Sequence, residues 1–163
     1  MGNTIVQNQL KQVESFLQDT VTLISAYLDD TTISSLQSEL NSTTNGDYCK
    51  LLLSGLRRLV VFCEEGLDAC QVVLRNEPFR KPAAEKTLYK IYHQCIEEFF
   101  SPKNDVWHEN SRSAYTGKNA IKFAEEAPSS TQLLFSKLEG KFQGVREELE
   151  YYETDYRTKM AQS

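Results

Sequence analysis

The sequence predicts an all-α protein: an antiparallel four-helix-type bundle with one extra short helix and a loop or β-hairpin insert near residues 103–127. Long segments repeat apolar residues every three or four positions, which places those side chains on one face of a helix. Residues 103–127 lack this repeat and carry a Thr-Gly-Lys-Asn turn signal at 116–119. A connection of this length is long for a compact bundle and is often functional.

Helices are predicted at 4–29, 33–40, 48–76, 82–100 and 129–159. The segment 48–76 is apolar on most of its sides, which is typical of a central helix. The last segment, 129–159, places its apolar residues at near-heptad spacing. Its opposite side is charged and includes KLEGK (137–141) and REELE (146–150). We expect that side to be solvated.

Length and composition predict one helical-bundle domain over residues 1–163. A chain of about 150 residues buries roughly 70% of its unfolded surface, so it needs no disulfide or metal to hold it together. The four cysteines are widely spaced and form no C-x-x-C motif, which indicates buried, reduced thiols. They are Cys49, Cys63, Cys70 and Cys95.

The charge and hydropathy of the chain limit its partners. The formal net charge is −5, which disfavours nucleic-acid binding as a general role. No stretch approaches the apolar length of a membrane-spanning helix, so no membrane insertion is expected. The N-terminus lacks a basic region followed by an apolar stretch, so no signal peptide is expected either. Together with the thiols, these observations predict a cytoplasmic protein.

The predicted helix 82–100 carries a polar stripe. Glu85, Tyr89, His93 and Glu97 recur every four residues and share one face. An imidazole beside a carboxylate can orient a general base or supply two ligands to a metal ion. The favoured interpretation is an ordinary polar face with i,i+4 pairs. A metal site would need further ligands, and the chain's other histidine lies in the insert.

The insert adds Trp107, His108, Arg112, Tyr115 and Lys118. Aromatic rings interleaved with cations bind anionic or planar ligands, and with Tyr89, His93 and Glu97 they define a candidate site for an anionic small molecule. The same residue types also suit a small core that ties a loop to a bundle, and this interpretation is favoured. Residues 75–122 hold nine Lys/Arg and six Asp/Glu, so the zone is modestly basic.

Patterns of known catalysts are missing from the sequence. The phosphate-loop spacing is absent around Gly117, and no G-x-S-x-G elbow occurs. Two histidines are too few for a three-histidine metal bundle. We therefore expect no catalytic residue, no metal ion and no cofactor. The sequence favours a non-enzymatic role without deciding it.

Two charged pairs, Arg57-Arg58 and Glu64-Glu65, interrupt the most apolar helix. The first interpretation places them along the solvent edge of that helix. The second places them in a polar network inside the bundle, opposite the polar stripe, where each charge would need a partner because unpaired buried charge is very unfavourable.

Four segments carry a resemblance to a known family. They are LLSGLRRLVVFCEEGLDAC (52–70), EKTLYKIYHQCIEEFFSPKNDVW (85–107), AYTGKNAIKF (114–123) and REELEYYETDYRTKM (146–160). In these segments the chain resembles the YpuI-like proteins of Bacillus and relatives, and the similarity extends over nearly its whole length. The resemblance implies a bacterial, cytoplasmic, single-domain protein of unknown function, and it supplies no catalytic residues.

Two functions stay open. The favoured one is a non-enzymatic helical bundle that binds another protein or forms a homodimer. The tyrosine-rich end ELEYYETDYR (148–157) supports it, because Tyr is enriched in interfaces. The alternative is a pocket on helix 82–100, covered by the insert 103–123, that binds or acts on an anionic small ligand.

Overall fold

The computed structural model describes residues 2–40, 46–110 and 120–162. Its helices are α1 (Asn3–Asp29), α2 (Ile33–Ser38), α3 (Gly46–Arg75), α4 (Lys81–Ile91), α5 (Glu97–Phe100), α6 (Ser129–Glu148) and α7 (Asp155–Gln162). A π-helical turn, Tyr92–Ile96, joins α4 to α5, and a 3-10 turn, Glu150–Tyr152, follows α6. Two strands, β1 (Trp107–Glu109) and β2 (Ile121–Phe123), form a small sheet. The predicted all-α fold with a short hairpin insert is confirmed.

The long helices form an antiparallel bundle around one main hydrophobic core. Helices α1 and α3 make its most extensive contact. For two pairs of helices, contacts near opposite ends of the pair show that the helices run antiparallel. They are Gly66–Ile91 and Arg58–Glu98 for α3 against α4 and α5, and Tyr27–Thr131 and Gln9–Glu148 for α1 against α6. None of the described helices is long and apolar enough to span a membrane.

Two glycines allow neighbouring groups to approach the central helix α3 closely. A Cβ atom on Gly66 would lie 3.1 Å from Cγ1 of Ile91 and 3.2 Å from Cδ1 of Leu17. A Cβ atom on Gly55 would lie 2.9 Å from Cζ3 of Trp107, well inside the usual separation of non-bonded carbons. Gly55 therefore provides the space in which the indole of the insert packs on the bundle.

The helix predicted at 82–100 is present, but its middle turn is π-helical rather than α-helical. A π turn adds one residue to the helical repeat, and such turns are frequent at functional sites. The extra residue directs two adjacent pairs of side chains into the core. These are Cys95 with Ile96 and Phe99 with Phe100, all at most 4% exposed.

The insert forms an antiparallel hairpin in which Trp107 pairs with Phe123 and Glu109 pairs with Ile121. Side chains alternate along a strand, so Trp107 and Glu109 face the bundle while His108 between them is exposed. The predicted turn at 116–119 lies outside the described residues.

The prediction of one continuous helix over 129–159 is wrong. Helix α6 ends at Glu148, and the backbone of Leu149 leaves the helical region with φ −101° and ψ 17°. The break turns two apolar side chains inward, since Leu149 and Tyr152 are both fully buried. Helix α7, beyond the break, has no buried residue.

The prediction of a solvated charged face on α6 is also wrong at two positions. Glu139 is 8% exposed and contacts the backbone of the hairpin. Arg146 forms an ion pair with Glu109 of β1. Helical periodicity shows which residues of α6 share a face. It does not show that the hairpin, which is distant in sequence, covers part of that face.

The charged pairs of α3 lie mainly at its solvent edge, as the first interpretation predicted. Arg57, Glu64 and Glu65 are exposed. Arg58 is 38% exposed and its Nε lies 3.4 Å from Oε2 of the buried Glu98. One of the four charges therefore reaches a carboxylate on the neighbouring helix.

Replacing Gly55 with Ala is expected to lower the free energy of unfolding by about 1–3 kcal/mol, the usual penalty for overpacking a core. The added methyl group has no room beside the Trp107 ring. Gly140→Ala is the matched control, because nothing lies within 4 Å of a Cβ at that position on α6. This change should raise the stability by about 0.4–1 kcal/mol, since Ala restricts the unfolded chain. Urea unfolding measures both, and equal effects would contradict the close packing of Trp107 on α3.

Candidate functional site

His93, the centre of the predicted polar stripe, lies in the π-helical turn. Its Nδ1 is 2.9 Å from Oε1 of Glu97, and its Nε2 is 3.1 Å from the carbonyl oxygen of Tyr152. Both partners accept hydrogen bonds, so an imidazolium ring that donates from both nitrogens satisfies both contacts. Because both nitrogens are engaged, neither offers a free lone pair to a metal ion or to a substrate proton. This geometry favours a structural role for His93.

Tyrosine rings pack around His93 and fill the space between the π-helical turn and the C-terminal segment. The ring centroid of Tyr89 lies 4.5 Å from that of His93 and 5.3 Å from that of Tyr156. Tyr152 is fully buried and its ring centroid lies 5.4 Å from that of Tyr156. Burial, with a smaller contribution from the charge of Glu85, raises the pKa of Tyr152. Tyrosines from the tyrosine-rich end thus contribute to internal packing.

Trp107 is a core residue in this structure. Its side chain is fully buried, its ring packs edge-on against Phe135 at 4.8 Å, and it fills the space beside Gly55. Its Nε1 donates a hydrogen bond of 2.6 Å to the carbonyl oxygen of Phe99. This environment matches the small core that ties the insert to the bundle, the favoured sequence interpretation.

The structure does not bring the predicted binding residues into one described site. The ring and hydrogen-bond partners of Trp107 differ from those of His93 among the described residues. His108 is exposed on β1, opposite Lys122 of β2. Three more predicted residues, Arg112, Tyr115 and Lys118, lie outside the described residues. The anionic-ligand site therefore stays a prediction.

An ion pair joins the hairpin to α6. The two guanidinium nitrogens Nη1 and Nη2 of Arg146 donate to Oε1 and Oε2 of Glu109 at 2.9 and 2.6 Å. The guanidinium carbon also lies 3.6 Å from the ring centroid of Phe100, and Nη2 contacts the side-chain oxygen of Gln143. A fork-to-carboxylate pair stacked on an aromatic ring is geometrically specific. It fixes the end of β1 against the bundle.

A second carboxylate of α6 holds the other strand. Oε2 of Glu139 accepts a hydrogen bond of 3.1 Å from the backbone N–H of Ala120, and Oε1 lies 3.5 Å from the N–H of Ile121. Ala120 immediately precedes β2 and Ile121 is its first residue, and neither amide has a partner in β1 among the described residues. A buried backbone donor must be paired, and Glu139 supplies the acceptor.

Sequence reasoning missed Glu109, Glu139 and Arg146 as parts of this region. A usable signal was present for Glu109, because strand alternation places it on the same side as Trp107. For the α6 residues the signal was weaker: two opposite charges seven residues apart share a helical face, but surface helices commonly show the same pattern.

A pocket of about 270 Å³ opens between the π-helical turn, β1 and α6. Its polar lining includes Tyr92, Glu97, Glu109, Arg146 and Glu153, and Phe100 contributes an apolar wall. Tyr92 is only 4% exposed. Burial, with the charges of Glu153 and Glu97, raises the pKa of Tyr92 to about 12. The phenol is therefore neutral in a pocket rich in carboxylates.

The cysteines are buried and free of disulfides. Burial raises the pKa of Cys70 to about 12, and a hydrogen bond with Cys63, together with burial, raises the pKa of Cys95. The Cys95 thiol also donates to the carbonyl oxygen of Phe62 at 3.1 Å. A raised pKa disfavours the thiolate, which is the nucleophilic form. Within the described residues, no group of three His, Cys, Asp or Glu side chains is placed to hold a metal ion.

Fold and site together define a mostly helical bundle that carries a short antiparallel hairpin fixed by Trp107, Glu109 and Glu139. The chain belongs to the family described as Protein of unknown function (DUF3907), whose profile matches residues 10–158. It is 49% identical over 153 residues to a Bacillus subtilis (strain 168) protein named Uncharacterized protein YpuI, covering 94% of this chain and 84% of that relative. The predicted YpuI-like resemblance is confirmed. No solved structure matches the chain.

The native protein is expected to protect all four thiols from a disulfide reagent such as dithionitrobenzoate at about pH 8, with labelling at least about tenfold slower than in the unfolded chain. The reason is that each sulfur is buried and reaches the reagent only after local opening. Absorbance of the released thionitrobenzoate measures the rate. A thiol that reacts in the native protein as fast as in the unfolded chain would contradict this and would mark a nucleophile.

Arg146→Met is expected to lower the free energy of unfolding by about 1–3 kcal/mol, because it leaves the partly buried Glu109 carboxylate unpaired. Lys141→Met, at an exposed position of α6, is the control and should change stability by no more than about 0.5 kcal/mol. Combining Arg146→Met with Glu109→Gln should recover part of the loss in a double-mutant cycle. Strictly additive losses in urea unfolding would show that the pair is not coupled.

Proposed function

We propose that this protein is a non-enzymatic helical bundle that acts by associating with protein, and that its first partner is a second copy of the same chain. An apolar groove between α1 and α6, flanked by charges of opposite sign, carries this proposal. The free cysteines support a cytoplasmic location, because thiols persist in reducing compartments.

The groove has a volume of about 340 Å³ and lies between the last turns of α1 and the first turns of α6. Its lining includes Leu23, Tyr27, Leu133 and Leu134. Leu133 is 58% exposed, the largest exposure among the large apolar side chains of the described residues. Burying a leucine contributes roughly 1.5–3 kcal/mol, so this position is suited to an interface.

The groove is held in shape by hydrogen bonds beneath it. The hydroxyl groups of Tyr27 and Thr131 lie 2.7 Å apart. The carboxylate of Glu39 accepts from the backbone N–H of Ser130 at 2.7 Å and from its hydroxyl at 2.8 Å. A carboxylate at a helix N-terminus satisfies an orphan amide and interacts favourably with the helix dipole. A surface fixed in advance loses less entropy on binding.

The charges at the groove favour a second copy as the occupant. Asp30 of α1's C-terminal end and Lys137 of α6 both line it, and within the described residues neither forms a salt bridge. In a two-fold dimer, each surface meets its own copy. Asp30 of one chain then faces Lys137 of the other, twice, and Leu133 of each chain enters the groove of its partner.

The chemistry of the described side chains supports a non-enzymatic role. Both ring nitrogens of His93 have partners, the cysteines are buried, and Glu109 and Arg146 neutralise each other. Catalysis by these groups would need a free base or a nucleophile beside a substrate-sized space. Association needs only the exposed apolar groove and its flanking charges.

Sedimentation of the wild-type chain over a concentration series is expected to show a monomer–dimer equilibrium. Leu133→Glu should weaken the dimer by about tenfold or more, because it removes a buried apolar contact and places a carboxylate in the groove. Val61→Glu is the matched control, since Val61 is 48% exposed on α3 and lies away from the groove lining. A wild-type chain that stays monomeric at all concentrations, or equal effects of the two variants, would contradict the proposal.

A charge exchange tests the two-fold arrangement in the same measurement. Asp30→Lys and Lys137→Glu should each weaken the dimer, because each places like charges opposite one another. The double variant restores opposite charges and should recover the dimer. Lys141→Glu, one turn further along α6, is the control for net charge. Failure of the double variant to recover would exclude this pairing.

A further inference from the structure

We propose that the pocket between the π-helical turn, β1 and α6 is a binding site for a small organic cation of the alkylammonium class. This site is separate from the α1–α6 groove, and it does not depend on dimer formation.

The pocket's unbalanced negative charge is the first observation. Three carboxylates line it, from Glu97, Glu109 and Glu153, against one guanidinium, from Arg146. The imidazolium of His93, which is not part of the lining, also pairs with Glu97. Glu109 uses both oxygens on Arg146, so this pair is internally neutral. Oε1 of Glu97 contacts His93, while the second oxygen of Glu97 and the carboxylate of Glu153 make no hydrogen bond with a described residue. These carboxylates therefore keep acceptor oxygens that have no partner among the described residues.

Tyr92 is the second, independent observation. Tyr92 is only 4% exposed, yet it lines the pocket. Its hydroxyl makes no hydrogen bond with a described residue. Its oxygen is not one of the fully buried atoms without a partner among the described residues, so the hydroxyl is accessible from the pocket and can bond to a ligand there. The charges of Glu153, Glu97 and Glu150 reach the phenol and, with burial, raise its pKa to about 12. The hydroxyl is thus a neutral hydrogen-bonding group beside carboxylates.

The arrangement of acceptors selects the chemical class of the ligand. An ammonium group is a compact point charge with three donors, which suits separate acceptors on Tyr92, Glu97 and Glu153. A guanidinium prefers a bidentate contact with a carboxylate, and Arg146 already makes this contact with Glu109. The face of Phe100 is likewise covered by Arg146. An anionic ligand would meet uncompensated carboxylates.

A metal ion is a poorer fit than an organic cation. Among the described residues, no three His, Cys, Asp or Glu side chains converge closely enough to coordinate one. The acceptors of an ammonium group must also lie close together, but one of them can be the neutral hydroxyl of Tyr92, which is not among these ligand types. A volume of about 270 Å³ admits a short alkyl chain beside the charged group.

Isothermal titration of the whole chain with butane-1,4-diamine tests the site. We expect saturable binding that weakens by about tenfold or more in Glu153→Gln, which removes a negative charge, and in Tyr92→Phe, which removes an acceptor for the cation. Glu64→Gln, at an exposed position of α3, removes the same charge elsewhere and should bind like the wild type. Glu153 is exposed, so its variant retains the fold even if the change at buried Tyr92 does not.

Further titrants separate the alternatives at constant ionic strength. Butane-1,4-diol, which is neutral, and magnesium chloride should give no Glu153-dependent binding. Nα-acetyl-lysine methylamide presents the same ammonium group from a peptide. Tighter Glu153-dependent binding of the lysine derivative would assign the site to a lysine side chain, and tighter binding of the diamine would assign it to a free amine. Absence of binding by both, or equal binding in Glu153→Gln and Glu64→Gln, would overturn the proposal.

Discussion

The packing of Trp107 against Gly55 is the contact on which the region around the insert depends. The indole fills the space that a side chain at Gly55 would occupy, and its Nε1 donates to the carbonyl of Phe99 in the last turn of α5. Carbonyl groups in the last turn of a helix lack partners within that helix, so the indole both fills the core and satisfies the helix end. A second bond, from the Tyr48 hydroxyl to the carbonyl of Val106 at 2.7 Å, holds the residue before Trp107.

Once Trp107 is fixed, the rest of the hairpin follows from strand geometry. Glu109 lies two residues further on the same side of β1, where it meets Arg146. The paired strand β2 begins at the carboxylate of Glu139. The carboxylate-rich pocket therefore exists because an aromatic contact with a glycine positions one of its walls.

The sequence predicted the features of this protein that depend on local periodicity. Helix positions follow from repeats such as that of Leu10, Val13 and Leu17, because a buried helix face needs apolar residues at that spacing. A loop or β-hairpin at the insert was predicted from the loss of that repeat and from a turn signal. The solvent-edge position of Arg57 followed from the high free energy of burying a lone charge.

Features that depend on distant contacts were not predicted. The π-helical turn leaves the apolar pattern of 82–100 intact, so periodicity gives no sign of it. The break after Glu148 is favoured by the burial of Leu149 and Tyr152. Both residues also fit a heptad pattern, so the spacing is equally compatible with a continuous helix. For the same reason, the carboxylate-rich pocket was not predicted. His93 and Trp107 stood out as rare residues, but the structure uses their polar atoms for internal contacts, and the open acceptors belong to glutamates that are common in the sequence.

The packing of α1 against α6 has a consequence for folding during synthesis. The Phe16 ring packs edge-on against Phe142 at 4.9 Å, and Gln9 reaches Glu148. Helix α1 therefore leaves the ribosome well before α6, the helix that completes its packing. At typical rates of synthesis the interval between them is on the order of ten seconds. During that interval one apolar side of α1 lacks its native cover, and the nascent chain offers chaperones a binding surface that the finished protein has removed.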